Sequence, residues 1–535
     1  MTSTIERLAS WAARLTLDDV PPRVREKARW QQASVLAASF GGLEDPAART
    51  VVEAARAHGA GPTPVLAGRT RAPRPVAVLA NATLSCTFDF DEILLLGHPG
   101  HSAVTVPLAL GAELGRTWGE VLTAQVAADE IEARLGLATI LGPQNGQLLP
   151  FLHCAGAAVA AGRLLGLDER ALAHALAVSL AQPPAALWPS FLGAFDVKVL
   201  TAAHGTAMGV WAAELAARGF TGALDLLDHP RGFFHRFAFV AFPRALGGLG
   251  RAWLADTLQV KLHAACWYYQ ALLDAVADAA GRLAAERGRP LRGAEVRRVV
   301  CRVSFLAEAV DASARERPRA PLTANEVNFS IPAAGALTLL RGRLRPADLS
   351  PPALRAVEDE VRAVQARVQV VHDLRLTRRL VQTLDRALDV GGLIGTATIG
   401  ELATAARRAR HEFPHGGRIR AGDLLGYALA APRLLGALRD GRRHDYDLGD
   451  HDLAGLTLPI PGALEVELDG GRRLVDEREV PAGALALGDA PGRVRAKLEE
   501  TAAPRLGAAG AARLWKALAA ARPATPVASL IPPSG

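Results

Sequence analysis

Apolar positions recur at intervals of three and four along TIERLASWAARL, RVREKARWQQASVLAASF and ARTVVEAARAHG, the spacing that puts one stripe on a helix. Gly-rich breaks such as FGGLEDP and HGAGPTP separate these segments. The pattern predicts helix after helix over residues 1–255. AHALAVSLAQ and AMGVWAAELAARGF are rich in small residues, so their backbones can pack closely inside a bundle. The texture changes after Lys261. EVRRVVCRVSF alternates and is β-branched, which predicts a strand, and ARVQVVHD is a second strand candidate. NFSIPAAGALTLLRG predicts a short extended piece running into a helix. ALEVELDGGRRLVDEREV alternates around an Asp-Gly-Gly turn, a hairpin signal. The tail RVRAKLEETAAPRLGAAGAARLWKALAAARP predicts a helix packing back on the first domain, and PATPVASLIPPSG a frayed end. No internal repeat stands out.

The expected fold is therefore mainly α with a smaller α+β domain. Residues 1–258 and 490–525 form the large all-helical domain, 259–374 and 456–489 the α+β domain, and 375–455 a helical insertion. A chain of 535 residues suits two or more domains. Half of its residues are apolar and about a fifth charged, as in soluble globular enzymes. Abundant Ala, Leu and Arg agree with a helical body.

The net charge of +7 raises the question of nucleic acid. The arginines, however, are scattered singly and mixed with Asp and Glu, and no basic run is interleaved with aromatics. The expectation is no nucleic-acid partner, with a mild positive field that draws in anionic substrates. Lysine is scarce: Lys27, Lys198, Lys261, Lys497 and Lys516. Lys198 in AFDVKVL and Lys261 in TLQVKLHAAC sit in apolar surroundings. Where arginine is the default cation, such lysines point to a need for a compact, titratable ammonium. Cys86, Cys154, Cys266 and Cys301 form no CxxC pair, which argues against structural zinc and for buried thiols in a reducing cytoplasm. MTSTIERLASWAARL is not a signal peptide, and no apolar run reaches about 18 residues, so no membrane span is expected.

The densest chemistry lies in ANATLSCTFDFDEILLLGHPGHSAVTVPLALGAELG. Asp89, Asp91 and Glu92 precede a Gly-His-Pro-Gly-His turn at residues 97–101, and a long apolar helix is expected to begin near Ser102. A helix N-terminus binds anions, a histidine exchanges protons near neutral pH, and carboxylates orient it or act as base. An Asp N-cap beside a solvated turn is the structural alternative.

The run DFDE followed by HPG and an apolar helix resembles the DFDD and HPS signature of the MmgE/PrpD family. GAAVAAGRLLGLDERALAHALAVSLAQ, the Lys198 segment through GFTG, the Lys261 to Cys266 segment and NFSIP resemble further family pieces in the same order. The resemblance covers residues 5–370 and 455–520, leaving the insertion aside. The family includes 2-methylcitrate dehydratase, cis-aconitate decarboxylase and iminodisuccinate epimerase, which share acid–base chemistry beside a carboxylate. The resemblance implies a site in the cleft between a helical and an α+β domain, a homodimer, no cofactor and no metal.

It also implies roles. Asp89 lines the site, His98 transfers protons, and Lys198 and Lys261 bind carboxylates of a small anionic polycarboxylate. Ammonium groups there neutralise the substrate and the enediolate-like charge formed on proton removal. Some positions depart from the family. Gln147 stands at the central histidine, with His153 six residues later. Thr201 replaces a histidine, with His204 three residues on. His263-Ala264 replaces Tyr-Pro, Cys266 keeps its place, and Ala333 replaces a tyrosine. His153 or His204 thus joins the catalytic candidates, although a buried core histidine explains His153 equally simply. Asp91, Gln147, His263 and Cys266 complete the substrate-binding candidates. The leading expectation is a cytoplasmic lyase, foremost a 2-methylcitrate dehydratase, with decarboxylation and epimerisation open. The competing expectation is a non-catalytic scaffold that kept the fold.

Overall fold

The computed structural model describes residues 2–95, 97–142, 150–185, 187, 190, 195–315, 321–412 and 445–532. Local capping sets its helical frame. Ser3 and Glu6 close a capping box on the helix Thr4–Arg14, and Thr117 and Glu120 close another on Trp118–Ala138. Asp45 accepts from the N–H groups of Ala47 and Ala48 at the start of Pro46–Ala57. Each cap satisfies backbone donors that a helix end leaves unpaired, at about 1 kcal/mol apiece.

The helix Trp118–Ala138 is buried along almost its whole length and forms the axis of the body. Around it pack Pro22–Gly42, Gly100–Ala103, Thr105–Glu113 and Pro150–Leu164. The helix Ala203–Ala216 lies tightly on Pro150–Leu164, because Gly209 lets the backbones meet. A Cβ there would sit 2.3 Å from the carbonyl oxygen of Cys154. The apolar helix expected from Ser102 is instead two helices, Gly100–Ala103 and Thr105–Glu113, separated at Val104. Two short strands, β1 (Thr63–Val65) and β2 (Thr70–Ala72), pair antiparallel where only a break was expected.

The strands β3 (Glu92–Ile93) and β4 (Gln259–Val260) pair antiparallel and join segments far apart in sequence. The smaller lobe holds β5 (Val296–Val303), β6 (Val368–His372), β7 (Gly462–Leu468) and β8 (Arg473–Arg478). Their order is β6-β5-β7-β8, with β5 and β6 parallel and the other pairs antiparallel. The β7–β8 hairpin turns through Gly470 and Gly471 at φ 86° and 82°, a conformation that glycine adopts without steric cost. The helix Gln270–Arg287 packs against β7 and β8, and Ile331–Arg341 packs against β6 and that helix. All four expected strands and the mainly α, two-lobed architecture are observed. NFSIP differs, since Ala324–Phe329 is helical and only Ser330 is extended, as the N-cap of the next helix.

Two apolar cores divide the chain. Phe88, Phe90 and Ile93 pack into the core of the smaller lobe, while Leu94 and Leu95 pack into the helical body. The acidic run therefore lies at the seam. The described residues of 375–455 also bridge, with Leu380 in the small core and Leu388, Leu393, Ala405 and Tyr446 in the large one. The C-terminal helix Ala490–Ala520 lies against Pro22–Gly42 and breaks at Gly507, where φ is 69°. The expected frayed end is wrong for most of its length. The N–H groups of Trp118 and Gly119 donate to Thr525 O and Pro523 O, and Val527 and Leu530 are buried. All four cysteines are free and buried. Among the described residues, no helix is long and apolar enough to cross a membrane.

Candidate active site

The helix Arg74–Cys86 ends at the seam, and Asp89 then takes a left-handed turn at φ 54°. Asp tolerates that region better than most residues because its short polar side chain bonds locally. Pairing of β3 with β4 sets Glu92 against Val260 and lets the Lys261 N–H donate to Asp91 O. The Lys261 ammonium thereby reaches Asp89 Oδ1 at 2.8 Å and Asp91 Oδ1 at 3.0 Å, with all three residues buried. Burial opposes its charge, but Asp89 and Asp91 more than offset that and hold Lys261 above the usual lysine range. Burial likewise opposes the charge of Asp89 and Asp91, while Lys261 and then His98 bring both below the usual carboxylate range. Oxygen and nitrogen atoms of Asp89, Asp91 and His98 lie within 4.8 Å of one another, a spacing that could hold a cation. The Lys261 ammonium bonds both of those carboxylates.

His98 Nδ1 lies 2.8 Å from Asp91 Oδ2 and 2.7 Å from the carbonyl oxygen of Glu92. A carbonyl only accepts, so Nδ1 carries a proton and donates. In the neutral ring Nε2 is then a bare lone pair, the state of a base. Two more buried imidazoles extend from it. His98 and His101 have ring centres 6.4 Å apart, and His101 and His153 5.6 Å apart. His101 Nδ1 lies 2.9 Å from Ser85 Oγ, and His153 Nδ1 lies 2.8 Å from Ser102 Oγ. Burial pushes both rings down to about 3, so they are neutral in ordinary buffers.

Lysines also fix the main chain of the acidic run. Lys198 donates to the carbonyls of Cys86 and Thr87 at 2.9 and 2.8 Å, at the negative end of the helix dipole. Lys497 donates to Phe90 O, Asp91 O and Ser34 Oγ at 2.5, 2.9 and 2.8 Å. Asn328 donates to Phe88 O and Ala264 O. Burial lowers Lys497 to about 7. Its role was missed in the sequence, where only Lys198 and Lys261 stood out among the lysines by their apolar surroundings. The signal was there: Val494, Lys497, Leu498 and Thr501 recur at three and four along one buried stripe.

Behind the imidazoles lies a layer of buried acids on the axial helix. Glu132 Oε1 is 2.5 Å from Ser102 Oγ, and Asp129 Oδ1 accepts from Gln31 Nε2 at 2.9 Å. Gln31 connects onward through Gln125 and Gln32 to Trp118. Glu92 Oε1 accepts from the Gly100 N–H at 2.7 Å. Burial raises Asp129 and Glu132 well above the ordinary range and Glu92 to about 7.

Of the residues singled out in the sequence, Asp89, Asp91, His98 and Lys261 meet directly, and His153 joins them through His101. Cys266 is buried within electrostatic reach of Asp89 and Lys261, and burial pushes its thiol to about 12. Lys198 acts on carbonyl oxygens of the segment. His263 faces elsewhere: its Nε2 is 3.1 Å from Asp274 Oδ1, and its Nδ1 accepts from the Leu344 N–H. His204 lies exposed on Ala203–Ala216, on the face that carries Met208 and Trp211. It makes no hydrogen bond or ion pair with the other candidates among the described residues. Gln147 lies outside the described residues.

Residues 6–240 match the MmgE/PrpD N-terminal domain, and residues 263–395 match the MmgE/PrpD C-terminal domain. The chain is 26% identical over 299 residues to cis-aconitate decarboxylase from Aspergillus terreus, covering 51% of this chain and 60% of that protein. It is 26% identical over 293 residues to the cis-aconitate decarboxylase of Aspergillus terreus strain NIH 2624 / FGSC A1156, covering 50% and 58%. The matched region is thus about three fifths of the length of these curated relatives.

Proposed function

The chain belongs to the MmgE/PrpD family, and from that premise we propose that it is a lyase or isomerase moving a proton beside a carboxylate of a small polycarboxylate. The single observation that carries this reading is His98, held through Nδ1 by Asp91 and the Glu92 carbonyl, beside the Lys261 ammonium. Nε2 would take the proton from carbon. The electron pair left behind would spread into the neighbouring carboxylate, and nearby ammonium charge would favour that developing anion. Metal-independent chemistry is part of the proposal, because Lys261 supplies the cation between Asp89 and Asp91.

Dehydration of a 2-methylcitrate-like acid is the first reading within this class. Decarboxylation is the second, favoured by the similarity to two cis-aconitate decarboxylases. Incubation with 2-methylcitrate and with cis-aconitate in deuterated water separates them, by loss of water or of carbon dioxide. Turnover or deuterium uptake that disappears in His98→Ala supports the enzyme. Inertness toward both acids and related polycarboxylates favours a scaffold. We further propose a cytoplasmic homodimer. Met208 and Trp211 on the helix Ala203–Ala216, with Val197 on the short helix Asp196–Leu200 before it, present large apolar side chains to solvent, as a surface covered by a second copy would. Sedimentation at the monomer mass would remove that part.

A further inference from the structure

His98 offers one free imidazole nitrogen, whereas a lyase reaction uses an acid as well as a base. The second imidazole is already in place. His153 is 1% exposed, and its Nε2 has no hydrogen-bond partner among the described residues. Its Nδ1 faces Ser102 Oγ, which in turn faces Glu132 Oε1. Glu132 fits there only because residue 156 is glycine, since a Cβ at that position would sit 1.5 Å from Oε1. Helix Pro150–Leu164 thus carries both the imidazole and the gap that seats its acid.

We propose that Glu132, Ser102 and His153 form a second proton relay of this site, with His153 Nε2 as the acid that meets the substrate and Glu132 and Ser102 as positioning residues. This rests on the functional reading above. Burial raises Glu132 well above the ordinary carboxylate range and so favours its protonated form. In that form its O–H donates to Ser102 Oγ. The Pro99 carbonyl, 3.0 Å from that Oγ, already accepts from the Ser102 and Ala103 N–H groups, so the Ser102 hydroxyl donates to His153 Nδ1 and the ring hydrogen is left on Nε2. His98, with its proton fixed on Nδ1, is in the opposite state. Two like groups held in opposite states are what an acid–base pair requires.

The step balances. The Nε2–H bond breaks as a bond forms from hydrogen to the substrate's electron-rich carbon or departing hydroxyl. The Ser102 proton moves to Nδ1 and the Glu132 proton moves to Ser102 Oγ. The ring stays neutral, and Glu132 is left as the carboxylate. The groups facing this relay are His98, His101 and Asp91 from the acidic run, Asp129 on the axial helix and Cys154 on the helix of His153.

Glu132→Gln keeps the shape and the hydrogen bonding but cannot release the proton. Glu132→Gln and His153→Gln should each lower turnover of cis-aconitate or 2-methylcitrate by roughly 10²–10⁴-fold with KM little changed. The double variant should be no worse than either single one. The pH–rate profile should lose a limb in Glu132→Gln, and Ser102→Thr should restore more activity than Ser102→Ala. An infrared arm needs no substrate. The Glu132 component of the protonated-carboxyl absorption, identified as the part lost in Glu132→Gln, should shift in Ser102→Ala and His153→Gln. A Glu132→Gln protein that melts lower but keeps its turnover and pH profile overturns the relay. So does a double variant whose loss is the product of the single losses. If the wild type turns over neither acid, the functional reading falls, and the infrared arm then decides the relay alone. A band unmoved by Ser102→Ala refutes it.

Discussion

Asp91 and Glu92 are neighbours in sequence and both fully buried, yet they sit in opposite electrostatic regions. Asp91 belongs with Asp89, Lys261 and His98, where carboxylates keep their charge because a cation touches them. Glu92 belongs with Asp129 and Glu132, where no ammonium or guanidinium pairs with them among the described residues and burial favours the protonated form. The two regions show the two ways to keep an acid out of water: match the charge, or remove it. The strand start at β3 sends adjacent side chains to opposite faces and so draws the border between residues 91 and 92. A molecule that holds charged and protonated acids side by side has both proton acceptors and proton donors ready at one pH.

The sharpest way to break this contrast is to remove the cation. Lys261→Met leaves Asp89 and Asp91 buried without their partner, which should cost about 3–5 kcal/mol in denaturant unfolding at neutral pH. The pH response should also change sign. In the wild type these aspartates titrate below their unfolded value of 3.8, so their contribution is present above that pH and lost only as pH falls through the lowered folded value. In the variant their folded values rise above the unfolded one, so the protein should gain stability on acidification from pH 7 toward 5. A variant as stable as wild type with an unchanged pH response would show that charge matching is not what holds this region.

The two regions were also unequally readable. The charged one announced itself in sequence, as DFDE and HPG lie together and Lys261 is a scarce lysine in an apolar stretch. The protonated one was silent. Glu130 and Arg134 at helical spacing look like an ordinary solvated pair, yet both are buried, and Glu132 beside them carries no local mark. Helical periodicity finds a helix that is apolar on one side, and the axial helix is buried all round, so its acids read as surface. His263 misled for the reverse reason. Its place beside Lys261 suggested the site, but the ring is turned to Asp274. The frayed tail misled because backbone pairing with residues 116–119 depends on contacts far off in sequence.

A middle-sized effect tests the protonated region. Gly156→Ala pushes a methyl group into Glu132 and should cost about 1–3 kcal/mol by overpacking. In a Glu132→Ala background the same change should cost far less, because the atom it strikes is gone. Equal costs in both backgrounds would mean that Gly156 serves something other than seating the carboxyl.

The effect confined to the narrowest range of pH lies on the border itself. Glu92 titrates at about 7 in the fold against 4.5 as its ordinary value, with burial and then the charge of Asp91 as the causes. Between those values the folded state holds one proton more than the unfolded state, so stability falls as pH rises from 4.5 to 7 and stays low above that. Glu92→Gln keeps an oxygen for the Gly100 N–H and has no charge to lose. The variant should match wild type below pH 4.5 and exceed it above pH 7 by about 3 kcal/mol, the linkage free energy of a shift from 4.5 to about 7. A gain that is the same at every pH would come from packing. A gain that grows with pH across that window would mean that Glu92 pays for its neighbour's charge, and that the border between the two regions falls inside one dipeptide.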